Sequence, residues 1–317
     1  MKKVLCIGEA LIDMICTDRG TNLSKGQNFL KKAGGAPANV AAAIAALGGG
    51  VDMAAKVGKD PFGVHIIELL KEMGVDTQWV LQDEKHFTTF AFVSLMEDGE
   101  RDFYFNRGAD GQLSSKDLSG LNLNEYSIVH FGSATSFLPG PLQSAYRDLL
   151  EQSKKAGAII SFDPNYRHLL FPKNTQSFID QCWPFIEQAH FFKLSDEEAI
   201  LITGCDTVHD AAASLRKKSK AVFAITMGKE GTLLSMGDHL EMIGSIAITP
   251  VDATGAGDAF VGAVLFQLIN SNPSLLEQID IDLWKKMISN ANKAGARTCE
   301  FMGAMEAFKH LNKSIFN

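Results

Sequence analysis

The sequence predicts an α/β fold: a mostly parallel sheet covered by helices on both faces, with a small separate β-sheet beside it. Two patterns carry that expectation. From about residue 126 onward, short apolar runs alternate with helix-like runs, the rhythm of parallel strands joined by crossover helices. Earlier, two β-rich runs flank Glu97-Asp98-Gly99-Glu100, a hairpin turn outside that rhythm. A third observation locates the chemistry. Thr249-Pro-Val-Asp-Ala-Thr-Gly-Ala-Gly-Asp-Ala-Phe260 sets an acid, a threonine and two glycines at the mouth of an apolar helix.

Taken in order, Lys3 to Ile7 is an apolar run broken by Gly8, and reads as a buried strand. Ala36 to Leu47 reads as a helix, with Pro37 in its first turn and Gly48-Gly49-Gly50 at its end. Val51 to Val57 reads as a strand, and Phe62 to Met73 as a helix stopped by Gly74. Thr88 to Met96 and Arg101 to Phe105 are the β-rich runs; with residues near 12–32 they would form the small sheet. The alternation then runs through strands at Ser127 to Phe131, Ala158 to Phe162, Phe191 to Leu194, Ala221 to Met227 and Gly231 to Ser235. Helices are expected at Leu142 to Ala156, Asn174 to Ala189, Glu197 to Thr203 and Asp210 to Lys217. Asp258 to Ile269 and Leu283 to Glu300 are the closing helices, with Asn270 to Pro273 a plain loop. No stretch is rich enough in Pro, Gly or Ser for a flexible boundary, so residues 1–317 read as one domain.

Composition narrows the function classes. The chain has 317 residues, 46% hydrophobic and 21% charged, enough for a well-buried core. A net charge of −7 and a pI near 5.6 argue against nucleic acid as partner. Glu9 and Asp13 interrupt the N-terminal apolar run before a signal core forms. No uncharged apolar stretch reaches the ~18 residues of a membrane span. The five cysteines are scattered without a CxxC pair, as in a reduced cytoplasmic protein, and the eight histidines lack zinc-site spacing.

The glycine-rich helix mouth suits phosphate. A helix N-terminus carries unpaired N–H groups and the positive end of the dipole, and Gly255 and Gly257 leave the approach to them open. Asp258 is the anomaly, since a carboxylate repels an anion. It makes sense as a base that takes a proton from a nucleophile attacking the phosphate. The plain alternative is a cap and a tight turn. An acidic protein that handles phosphate must also build a local positive site against its own field.

Other segments carry functional and bland readings side by side. Gly34-Gly35-Ala36-Pro37-Ala38-Asn39 opens a helix; its glycines would admit a hydroxylated ligand, and Asn39 both donates and accepts. It is equally a helix entry with a packed Asn. Gly8 to Asp13 follows the first strand, and Asp13 would bind sugar hydroxyls or sit in a solvated turn. Asp163-Pro164-Asn165-Tyr166-Arg167 follows a buried strand; Arg167 would reach an anion or form a surface ion pair. Thr226-Met227-Gly228-Lys229-Glu230-Gly231 joins two strands as a turn. Ser195 to Glu198 opens a helix, where its acids complement the dipole or hold water on Mg²⁺.

Five segments together resemble the PfkB-type, ribokinase-like carbohydrate kinases: Gly8 to Asp13, Gly34 to Asn39, Val57 to Gly63, Asp163 to Arg167 and Asp252 to Asp258. They occur in that family's order and spacing across nearly the whole chain. The resemblance implies a ribokinase-like three-layer α/β/α fold with a small β-sheet lid, formed near residues 12–32 and 86–107. It implies transfer of the γ-phosphate of ATP to a sugar hydroxyl with Mg²⁺. Asp258 would be the catalytic base, and Gly255, Ala256 and Gly257 the anion hole. Asp13, Gly34, Gly35, Asn39, Arg107, Asn165 and Arg167 would contact the sugar. Thr226, Gly228, Gly231 and Asn292 would line the ATP site. Glu198 would organise Mg²⁺-bound water, and backbone around Asp252 and Thr254 would hold an activating monovalent cation such as K⁺.

Within the family, the features look like the fructokinase branch. Ribokinases carry an Asn and a Lys where this chain has Leu11 and Ala36, which disfavours ribose. The family's Asn-x-x-Glu appears as Ser195-Asp-Glu-Glu198, and the Arg of Phe103 to Asp110 falls two positions later than is usual in fructokinases. Kinases of 2-keto-3-deoxygluconate share several features, with Arg107 and Arg167 as cations for a carboxylate. A nucleoside kinase, or a non-catalytic sensor on the same fold, are the remaining alternatives. Family lids often pair two-fold, so a homodimer through the lid is expected.

Overall fold

The computed structural model describes residues 3–18, 20–96, 101–271 and 279–316. Its first strands are β1 (Lys3–Ile7), β2 (Leu11–Cys16) and β3 (Phe29–Gly34), followed by α1 (Ala36–Ala46), β4 (Val51–Gly58) and α2 (Pro61–Glu72). Next come β5 (Val80–Asp83), β6 (Phe90–Leu95), β7 (Arg101–Asn106), β8 (Tyr126–Phe131), α3 (Pro141–Lys155) and β9 (Ile159–Phe162). Then follow α4 (Thr175–Gln188), β10 (Phe191–Ser195), α5 (Asp196–Thr203), α6 (Val208–Lys218), β11 (Val222–Thr226), β12 (Thr232–Met236) and β13 (His239–Ile243). The chain closes with α7 (Ala256–Asn270), α8 (Ile281–Thr298) and α9 (Ala304–Phe308).

The large sheet has nine strands in the order β13-β12-β11-β10-β9-β8-β1-β4-β5. It is parallel from β11 to β5, and β12 pairs antiparallel with both β11 and β13. Its helices split into two packed cores, one around α1, α7 and α8, the other around α3, α4 and α5. The small sheet is four-stranded, β3-β2-β6-β7, and forms the expected lid. The turn at 97–100 lies outside the described residues; β6 and β7 pair antiparallel from Phe90↔Asn106 to Leu95↔Arg101, as a hairpin requires.

Some elements differ from expectation. Strands β5 and β13 are both edge strands, and half-exposed edges carry little apolar signal to read. Helix α9 has five residues, too few for a period. Asn270 is the last residue of α7 rather than loop, and 272 and 273 lie outside the described residues. Asp13 sits on β2 within the lid, not in a turn of the core.

Two features position the site. First, β1 and β8 are neighbours whose onward connections lead to opposite sides of the sheet. The crevice beyond their carboxyl ends is the usual ligand position in such sheets. Second, α1 and α7 are apolar on every side and buried, so they pack against each other in the core. Gly262 makes this possible, because a Cβ there would stand 2.7 Å from Ala43 Cβ. The close approach brings the N-termini of α1 and α7 together. Among the described residues, no helix is long and apolar enough to cross a membrane.

Candidate active site

The two helix mouths meet through one hydrogen bond. Asn39, in the first turn of α1, donates from Nδ2 to Oδ2 of Asp258, in the first turn of α7, at 2.8 Å. Both side chains are buried, and Asn39 Oδ1 has no hydrogen-bond partner among the described residues. Burial raises the pKa of Asp258 above the usual carboxylate range; the Asn39 amide, Arg167 and Lys193 pull the other way.

Beside Asp258 lies the glycine nest. Gly255 caps α7 with φ 82°, and a Cβ on it would stand 2.4 Å from Ala304 Cβ. The amides of Gly255 and Gly257 have no hydrogen-bond partner among the described residues, whereas Ala256 donates to Ala253 O at 3.2 Å. The open N–H groups at this helix mouth are therefore those of the two glycines, with the Ala256 N–H already occupied.

The local positive charge comes from a residue the sequence reading passed over. Lys193 on β10 is buried, 3.3 Å from Asp163 Oδ2 and 4.0 Å from Glu198 Oε2. A Cβ on Gly257 would stand 3.3 Å from its Nζ. Burial works to lower its pKa, but Asp163, Glu198 and Asp258 together raise it, so Lys193 stays charged. Burial conversely pushes Asp163 up. The signal was legible: Phe191-Phe192-Lys193-Leu194 is an apolar strand with a charge in its middle, and such a charge needs paired company.

Asp13 enters from the lid. A Cβ on Gly34 would stand 2.4 Å from Asp13 Oδ2, so only glycine leaves room for that carboxylate. Burial pushes Asp13 up to about 6, with Arg167 opposing. Arg167 acts electrostatically on both Asp13 and Asp258. Its own hydrogen bonds go to Tyr166 O (3.0 Å) and Asn165 Oδ1 (3.5 Å). Asn165 takes φ 50° and donates to Gly132 O at 2.9 Å, fixing the turn after β9 beside the exit of β8. Gly35 admits the close passage of β3 into α1, since its Cβ would stand 2.4 Å from Glu9 O.

Other expected site residues are engaged with protein. Arg107 donates to Pro139 O (2.6 Å) and Thr135 O (3.1 Å), and its Nε lies 3.6 Å from Asp110 Oδ2. Glu198 accepts Ser195 N and Tyr166 N, each at 2.8 Å, closing a capping box on α5 and bracing the Asp163 to Arg167 turn. Asn292 is buried, accepting from Thr232 Oγ1 (2.6 Å) and donating to Ile243 O (3.0 Å) and Gly244 O (3.2 Å). Thr226 lies at the end of β11, followed by Gly228, around which a Cβ would meet nothing within 4 Å. Gly231 closes that turn at φ 110°, against Ile243 O. Asp252 Oδ1 accepts Thr254 N (3.0 Å) and Thr254 Oγ1 (2.7 Å), and its Oδ2 accepts Gly303 N (2.8 Å).

A buried acid at a glycine-lined helix mouth thus stands beside a buried lysine, and Arg167 acts electrostatically on both that acid and the lid acid Asp13. The family model of the pfkB carbohydrate kinases matches residues 1–308. The chain belongs to the PfkB family. Fructokinase-1 of Oryza sativa subsp. japonica is 37% identical over 307 residues, 95% of this chain and 93% of the rice protein. Fructokinase-1 of Zea mays is 36% identical over 308 residues, 95% and 93% of the two chains. Among solved structures, an ATP-bound fructokinase from Xylella fastidiosa superposes with TM-score 0.85 at 27% identity, over 99% of this chain and 96% of that one. A fructokinase from Vibrio cholerae O395 holding fructose, ADP and calcium gives 0.82 at 28%, over 100% and 98%. The three-layer fold and the four-stranded lid are therefore those of a PfkB kinase.

Proposed function

We propose that this PfkB kinase transfers the γ-phosphate of ATP to the primary 6-hydroxyl of fructose, with Asp258 as general base. One observation carries the reading: a buried carboxylate with a raised pKa, oriented by Asn39, at a helix mouth whose glycine amides are free. The sugar hydroxyl attacks the γ-phosphorus and its proton passes to Asp258. The new O–P bond forms as the bond to the β-phosphate oxygen breaks, and ADP leaves. The Gly255 and Gly257 amides and the Lys193 ammonium stabilise charge on the transferring group. Asp13, Asn39 and Arg167 orient the sugar, and the unpartnered Asn39 Oδ1 is an acceptor ready for a hydroxyl. Lid closure excludes water and limits wasteful hydrolysis of ATP.

Fructose is favoured by relatives named fructokinase, by the Vibrio cholerae enzyme's bound fructose, and by Leu11 and Ala36. A 2-keto-3-deoxygluconate reading needs cations for a carboxylate, and Arg107 is spent on loop carbonyls, which leaves Arg167 alone.

Thr226, Gly228 and Gly231 would wall the nucleotide site, Gly228 offering the open backbone a nucleotide needs. Asn292 would shape that wall rather than touch the base, since its amide is fully used. Both Glu198 oxygens already accept amides, so the residue fits a metal through water rather than by direct contact. Mg²⁺ bound there would neutralise phosphate charge. The turn braced by Asp252 and Thr254 against Gly303 is where backbone oxygens would hold a monovalent cation.

Asp258→Asn tests the base directly. The amide can still accept from Asn39, so the site keeps its shape. Turnover should fall on the order of a thousandfold, while sugar affinity by calorimetry changes little. A variant within tenfold of the wild-type rate would contradict the assignment.

A further inference from the structure

Four chain crossings join the lid to the core. They are Glu9-Ala10 into β2, Gly35 out of β3, Thr88-Thr89 into β6, and Arg107-Gly108 out of β7. All four converge on one buried network built around two carboxylates that the phosphoryl transfer does not use. Glu9 Oε1 accepts Ala36 N at 3.1 Å and Ala134 N at 3.3 Å, and its Oε2 accepts the Ser133 hydroxyl. Asp110 Oδ1 accepts the Thr89 hydroxyl, whose oxygen in turn accepts Gly108 N at 2.8 Å. Thr135, on the loop leaving β8, stands between the carboxylates. Its Oγ1 is 2.8 Å from Asp110 Oδ2 and 3.4 Å from Glu9 Oε2. A hydroxyl has one proton, and the shorter contact takes it. Arg107 adds its Nη2 bond to Thr135 O and its charge beside Asp110.

Glu9, Thr89, Asp110 and Thr135 are each 1% exposed. Buried acceptors have no water to fall back on, so such bonds are costly to break and favour one arrangement of the chains they join. The crossings are also tightly packed: a Cβ on Gly108 would stand 2.0 Å from Phe87 O. The same network reaches both sugar-facing elements. Thr89 O accepts Ile12 N at 3.0 Å, next to Asp13, and Glu9 holds the Ala36 amide in the Gly34 to Asn39 entry.

We propose that Glu9, Asp110 and Thr135 are positioning residues that set the placement of the lid on the core. Through it they place Asp13 and the Gly34 to Asn39 segment on the sugar. This rests on the kinase reading of the site. The network governs sugar capture and the coupling of ATP use to sugar, and leaves the chemical step to Asp258.

Thr135→Val keeps the side-chain shape and removes the donor to Asp110. The sugar KM should rise about tenfold, the loss expected for a hydrogen bond to a charged group. The kcat at saturating sugar and the KM for ATP should stay within twofold, and ATP hydrolysis without sugar should increase. Thr135→Ser should restore all of these. Hydrogen–deuterium exchange in β2 and β6 should quicken in Thr135→Val relative to wild type; this readout needs no substrate, so it decides the hinge even if the wild type proves inactive on sugars. If Thr135→Val does not fold, Asp110→Asn carries the same expectations in weaker form. An unchanged sugar KM, unchanged exchange, or a loss of kcat matching the loss in kcat/KM overturns the proposal.

Discussion

Asp13 and Asp258 are held by the same physical effect, burial, and would answer to pH in different ways. Asp258 must be unprotonated to act as base, so kcat falls as pH drops through its raised pKa. Asp13 serves best as an ionised acceptor of sugar hydroxyls, and its pKa lies at about 6. Protonation below that pH removes an acceptor, so kcat/KM for sugar should fall as pH drops through about 6. Asp13→Asn should raise the sugar KM and erase that limb, while the limb in kcat belonging to Asp258 survives. A pH profile of kcat/KM unaltered by Asp13→Asn would remove Asp13 from the sugar site. Much of this scale was legible. The acids, glycines and Asn39 stand out because two helix mouths each set paired or near-paired glycines beside a polar side chain at the start of an apolar helix. The Asn39–Asp258 bond was not, since it spans 219 positions of sequence. Nor were the engagements of Arg107, Glu198 and Asn292 with protein groups, because a sequence lists donors and acceptors without saying which are already satisfied.

At the scale of elements, the α1–α7 contact does the positioning. Both helices are apolar on all sides, and Gly262 against Ala43 lets their axes come close enough to join Asn39 to Asp258. Gly262→Val should force them apart. Overpacking of this kind costs about 1–3 kcal/mol of stability. It should also lower kcat by more than it raises the KM for ATP, because the base loses its orienting amide. Denaturant unfolding and steady-state kinetics check the two effects; full activity in a destabilised variant would show that the close crossing serves packing alone. The long buried elements were readable from apolar period and end signals such as Pro37 and the Gly48 triplet. The lid strands β2 and β3 were seen only as a region. Their burial alternates with charge from Asp13, Lys31 and Lys32, which blurs the two-residue period that a half-buried strand normally displays. The edge strands β5 and β13 gave no signal for the related reason that few of their side chains are buried.

Over the whole molecule, the strand–helix alternation gave the parallel sheet, and the one hairpin out of rhythm gave the lid. Topology then did what neither pattern could reveal. It set β1 beside β8, placed the crevice at the point where the connections diverge, and gathered four lid crossings onto one buried network. In a chain of net charge −7, positive charge at this site comes from Lys193 and Arg167, set among Asp13, Asp163, Glu198 and Asp258. The proposed reaction of this site is phosphorylation of fructose. ADP release with Mg-ATP, measured in parallel with fructose, ribose, 2-keto-3-deoxygluconate, glucose and adenosine, tests it most directly. The account predicts clear preference for fructose, with ribose poor for want of the groups replaced by Leu11 and Ala36. Release driven best by another member of the panel, or by none of them in folded protein, would contradict it.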